Sequence, residues 1–125
     1  DMQGINSESI FYLGDLNWVD LISVMKSSDN FIHAAWLDHC PNVVVDAKAA
    51  GCKLYCAGAG GTAELATKED KIFIEKDWDF KPIDLYDPPS LDLSLSIPGN
   101  YDGDYSLEKS GMLYEEVLFR TIGVL

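Results

Sequence analysis

Apolar positions follow two alternating rhythms along the first three-fifths of the chain. Short β-prone runs at 9–13 (SIFYL), 30–36 (NFIHAAW), 53–60 (KLYCAGAG) and 71–75 (KIFIE) predict strands. Between the first two, Trp18, Leu21, Ile22 and Met25 recur at three- and four-residue spacing, which predicts an amphipathic helix with Asn17 as its N-cap. The stretch 41–51 (PNVVVDAKAAG) predicts a second helix, with Pro41 near its first position and Gly51 at its C-terminal cap. GTAELA at 61–66 starts a short third one. Strands that are apolar throughout, separated by helices, predict an α/β fold with a parallel sheet covered on both faces.

Beyond Trp78 both rhythms are lost. Residues 77–105 hold four of the five prolines and many acids, and are expected to form an irregular connection along the surface, pinned by Ile83, Leu85, Leu91 and Leu93. The chain closes on a helical pattern at 106–122, where Leu113, Val117, Leu118 and Ile122 share a stripe and Ser106 is a candidate cap. Residues 1–125 thus read as one domain, with a core over 9–76, the connection, and a C-terminal helix.

Charge narrows the range of partners. Twenty-one acids against 9 bases give a net charge of −12, which opposes the counterion release that drives binding to nucleic acid or anionic lipid. No run is long and apolar enough to span a membrane. The three cysteines, Cys40, Cys52 and Cys56, are odd in number and spaced unlike a zinc ribbon or a disulfide scaffold, so reduced thiols in a cytoplasmic protein are expected. Cys52 and Cys56 flank a strand and are expected simply to pack. His33, inside an apolar strand, reads as a hydrogen-bonded core residue, and Trp36 as core or pocket wall. His33, His39 and Cys40 lack a fourth ligand at zinc spacing, so no metal site is expected. In so acidic a chain the triplets Asp77-Trp78-Asp79 and Asp102-Gly103-Asp104 are expected by chance, and YDGDY has too few ligands for a calcium loop. Asp at position 1 is no translational start, which leads to the expectation that the chain is a fragment, one part of a split protein, or a processed product.

In open parallel sheets, ligands bind where strand carboxyl ends lead into helix N-termini. Three loops qualify, at 14–17, 36–41 and 57–62. With Pro41 near the first helical position, the N–H groups of Asn42, Val43 and Val44 face the loop and suit an anion. Asp46 follows Asn42 by four residues, about 400° of rotation, so it shares that face and leans back toward the helix start. A carboxylate there can accept two neighbouring hydroxyls, such as a ribose diol, and Asp38 can take hydroxyls from the other side. The same residues also fit a turn cap and a solvated helix position. The third loop, CAGAGGTAEL, brings Gly58, Gly60 and Gly61 to a helix beginning near Thr62. It is neither G-x-G-x-x-G nor a Walker loop, and a plain turn remains open.

Taken together, SSDNFIHAAWLDHCPNVVVDAKAAGCKLYCAGAGGTAEL resembles the C-terminal half of the glycosyltransferase family 4 (group 1) enzymes, over roughly residues 9–76. The resemblance implies a GT-B enzyme, its α/β sheet Rossmann-like, that transfers a sugar, with retention, from a UDP- or GDP-linked donor without a bound metal or other cofactor. The family's E-x7-E pair falls on Asp38 and Asp46. By that match Asp38 is the catalytic carboxylate that contacts the donor sugar near the reacting centre, stabilising developing positive charge or orienting hydroxyls, and Asp46 holds the ribose hydroxyls. His39, Cys40, Pro41, Asn42 and Val43 take the diphosphate or sugar oxygens, Gly14, Asp15 and Leu16 border the base, and Gly60, Gly61 and Thr62 line the donor pocket.

Two departures temper that expectation. Both acids are Asp, one methylene shorter than Glu, and a misplacement of about one ångström can cost a hundredfold in rate. The family's donor domain has six strands in the order 3-2-1-4-5-6 behind a whole acceptor domain, whereas this chain starts at the third strand. It is therefore expected to bind donor weakly and to be inactive alone. Its open strand edges are expected to drive self-association, or to be covered by another chain. The contrasting reading is a non-catalytic α/β binding or assembly module that kept the scaffold and lost the chemistry.

Overall fold

The structure, a computed structural model, describes residues 10–39, 41–75, 81–82, 91–121 and 123. Its elements are α1 (Trp18–Lys26), β1 (Asn30–His33), α2 (Asn42–Ala49), β2 (Lys53–Ala57), a 3-10 turn (Gly61–Leu65), β3 (Lys71–Phe73), β4 (Ser96–Ile97) and α3 (Leu107–Thr121). The strands form one open sheet in the order β1-β2-β3-β4. β1, β2 and β3 run parallel, and β4 pairs antiparallel to β3, with Ile97 opposite Ile72. The fold is α/β, as the alternation of rhythms predicts.

Local chemistry sets the helix ends. The Asn17 side chain accepts the N–H of Asp20 at 3.0 Å and so caps α1. α2 ends in a reciprocal pair of backbone bonds, Gly51 N–H to the Lys48 carbonyl and Cys52 N–H to the Ala47 carbonyl, both at 3.0 Å. That geometry turns the chain through Gly51 at φ 98°, a left-handed conformation that glycine adopts without strain. From α1, Met25 is buried and Leu21 and Ile22 pack beside it, against Ala47 and Cys52. From α2, Val44 joins Leu54, Cys56 and Ala66 in a contiguous core flanked by Phe31 and Ile72.

Helix α2 is also tied to the sheet by a buried carboxylate. Lys48 Nζ donates to both Asp70 oxygens at 2.7 Å, while the N–H groups of Leu54 and Thr67 and the Thr67 hydroxyl donate to the same group. Burial alone would push the Asp70 carboxyl up. The Lys48 ammonium and the donors of Leu54 and Thr67 outweigh it and hold the carboxyl below its ordinary value.

Several expectations are corrected. Residues 10–13 form no strand; Ile10, Phe11, Tyr12 and Leu13 are exposed, and Ser9 lies outside the described residues. An apolar run becomes a strand only beside a hydrogen-bonding neighbour, and β1, the strand these residues would have to join, keeps an open outer edge among the described residues. Nor are both faces of the sheet covered at β1. Phe31 faces the helices, but Ile32, pointing the other way, is 69% exposed. β1, β2 and β3 each stop short of the runs that predict them, at His33, Ala57 and Phe73.

The connection also differs from expectation. It contributes β4 and a strap, in which the N–H groups of Gly99 and Tyr101 reach the carbonyls of Thr67 and Ala66. A Cβ on Gly99 would collide with the Ala66 carbonyl, so this close approach requires glycine. Leu91 is half-buried, but Leu93 is exposed, because the strap is held through backbone bonds nearby instead; Ile83 and Leu85 lie outside the described residues. Ser106 caps α3 by accepting the Lys109 N–H at 3.1 Å. The stripe of Leu113, Val117 and Leu118 exists but is exposed, and Ile122 lies outside the described residues. No described helix is long and apolar enough to cross a membrane.

Candidate functional site

The carboxyl ends of β1 and β2 bring two of the three candidate loops into contact. Past β1 the chain turns at Leu37, whose φ of 54° is unusual for a residue with a branched side chain. The turn lays Asp38 beside Gly60 in a parallel bridge, and the Gly61 N–H donates to the Asp38 carbonyl at 2.9 Å. Both glycines are needed for this approach. A Cβ on Gly60 would lie 2.7 Å from the Asp38 carbonyl oxygen, and one on Gly61 would collide with the carbonyl of His39. The glycine loop is thus a counter-surface for Asp38 and His39. It is anchored from β3's end, where Glu75 accepts the Ala59 N–H at 2.8 Å.

A cleft of about 160 Å³ opens at this junction, lined chiefly by His39, Pro41, Asn42, Val45, Gly61 and Glu64. It is smaller than the ~300 Å³ at which ligand pockets usually begin. A phosphate or a sugar ring fits it, and a whole nucleotide sugar does not. Pro41 is buried at the N-cap position of α2, and its carbonyl takes the N–H groups of Val44 at 2.9 Å and Val45 at 3.4 Å. The expected trio of donors is therefore reduced to Asn42 and Val43, because Pro41 is the N-cap and its carbonyl closes a tight first turn on the Val44 N–H, three residues on. Val43 turns its side chain into the core.

The remaining candidates are placed differently. Asp46 is half-buried on α2 and does not line the cleft; Asn42 and Val45, three residues apart, supply the helix side of it. Gly14, Asp15 and Leu16 do not line it either. Thr62 is fully buried beneath the loop, with no hydrogen-bond partner for Oγ1 among the described residues. Cys40 and the triplet Asp77-Trp78-Asp79 lie outside the described residues.

One functional contact is absent from the sequence reading. His33 Nε2 lies 3.0 Å from Asp38 Oδ2, with the two side chains 15% and 33% exposed. The ring stacks on Phe31 at 6.3 Å between centroids and 11° between planes. His33 is therefore packed, as the apolar strand implies, but its polar edge serves the acid at the strand end. The available signal was the five-residue spacing across a strand-ending turn, which becomes meaningful once the chain is known to double back.

Burial, with Asp70 and Glu75 nearby, pushes the Cys56 thiol up to about 11, so it stays protonated and inert at neutral pH. Cys52 is buried and donates to the Met25 carbonyl. Among the described residues no group of three or more His, Cys, Asp or Glu side chains is placed to hold a metal ion. No protein-family model matches the chain, no curated protein is similar to it, and no solved structure matches it.

Proposed function

We propose that the chain is the donor-binding portion of a retaining glycosyltransferase, receiving the sugar-diphosphate end of a UDP- or GDP-linked sugar at the carboxyl ends of β1 and β2. The observation that carries this reading is the junction of Asp38–His39 with Gly60–Gly61, two motifs distant in sequence that meet beside a cleft of sugar or phosphate size, which His39 and Gly61 line. In this reading Asp38, next to the cleft-lining His39, is the carboxylate that orients donor hydroxyls and stabilises positive charge developing at the anomeric carbon. The open N–H groups at the start of α2 favour the diphosphate. The small cleft and the net charge of −12 fit weak donor binding by the chain alone, with catalysis awaiting a second half, supplied by another chain or chain segment. A reducing, cytoplasmic setting and self-association through the open edge of β1 belong to the same proposal.

A second reading, a non-catalytic binding or assembly module, draws on two observations. Asp38 is already engaged by His33, and neither Asp38 nor Asp46 lines the cleft. Calorimetric titration with UDP, GDP and their glucose and mannose conjugates separates the two. The donor-site reading expects millimolar binding that weakens several-fold in Asp46→Ala; no heat with any of them would favour the module.

A further inference from the structure

We infer that His33 is a positioning residue for Asp38: it fixes the carboxylate that the proposed donor site presents to the sugar, and so rests on that reading of the site. The backbone of Asp38 is already clamped by the bridge to Gly60 and the bond from Gly61. The side chain, one-third exposed, still occupies one of several staggered rotamers. The bond from His33 Nε2 to Oδ2 selects one of them.

His33 does not depend on Asp38 for its own placement. It sits on β1 in register with Cys56 of β2, and its ring lies flat against Phe31, which packs into both core clusters. Orientation therefore passes from the core through the imidazole to the acid. A histidine that donates through Nε2 also fixes its tautomer, with the proton on the nitrogen that faces the carboxylate. A short Asp at this position makes such a device useful, since its reach toward a ligand leaves little tolerance for a wandering carboxylate.

The test uses the full chain and two readouts. In the first, long-range proton–nitrogen spectra of the imidazoles are recorded at about pH 8, where an ordinary imidazole is neutral. The chain has two histidines, so His33→Gln assigns the signals. The wild type is expected to show His33 as the Nε2–H tautomer, and Asp38→Ala to release it toward a mixture. A His33 tautomer indifferent to Asp38→Ala overturns the inference. In the second, UDP-glucose and GDP-mannose are titrated beside UDP and GDP. His33→Phe, which keeps the ring packing, is expected to lose about tenfold in affinity for whichever nucleotide sugar the wild type binds. Affinity for the bare diphosphate should stay unchanged, and His33→Gln, which restores a donor, should recover most of the loss. Equal weakening for diphosphate and nucleotide sugar, or no weakening, overturns the inference. Should the wild type bind none of the four, the donor-site reading fails, while the imidazole spectra still decide whether His33 sets the Asp38 carboxylate.

Discussion

The β1-α2-β2-β3 unit and helix α3 both carry apolar side chains at regular positions and end in opposite states. In the first, Val44, Ala47, Leu54 and Cys56 are fully buried. In α3, no described side chain is buried, and Leu107 and Tyr114 are 87% and 74% exposed. Periodicity decides which side chains share a face; burial also needs a second face to meet it. A parallel crossover supplies that face at once, because α2 must pack back onto the strands it connects. α3 follows Tyr105, whose hydroxyl donates to the Leu65 carbonyl.

Substitutions can break or sharpen this contrast. The largest effect is expected from Asp70→Ala, which strands the Lys48 ammonium and the Leu54 and Thr67 N–H groups inside the core unit. It should cost ~3–5 kcal/mol in urea unfolding. The same carboxylate gives the core an acid limit. Because its value is lowered on folding, its stabilisation is complete above about pH 4 and is lost as the pH falls through the lowered value. The acid limb of wild-type unfolding should therefore flatten in Asp70→Asn. Leu54→Ala, a cavity in a fully buried strand position, should cost about 3 kcal/mol. Val117→Ala in α3 should change stability by less than ~0.5 kcal/mol. A loss above 1 kcal/mol at Val117, on the order of a buried truncation, would mean that α3 is packed in solution and the contrast is false.

What was legible in the sequence follows the same division. Asn17 and Gly51 mark helix ends through bonds made within a few residues, so their roles are readable locally. The parallel β1-β2-β3 pairing is legible because apolar runs alternate with a helix of crossover length. Residues 10–13 mislead because their β-propensity is genuine, yet they pair with no strand among the described residues. β4 escapes notice because two residues, Ser96 and Ile97, become a strand solely through pairing with β3 across a long gap in sequence.

At the site, the acid and glycine motifs were visible as candidates, but their contact was not. Neither were the His33–Asp38 bond and the Ala59–Glu75 bond, which join residues whose proximity depends on where two loops turn. Asp46 shows the limit of face arithmetic. Four residues place it on the side of Asn42, yet the cleft opens along Asn42 and Val45, one step around the helix.

The central claim, that nucleotide sugars meet this chain at the β1 and β2 ends, is tested most directly by amide chemical-shift mapping with UDP-glucose and GDP-mannose at millimolar concentration. The account predicts that one of them shifts the amides of Asp38, His39, Asn42, Val43, Gly60 and Gly61 in a saturable way and leaves those of α3 unmoved. Saturable shifts confined to α3, or none anywhere in the chain, would contradict it.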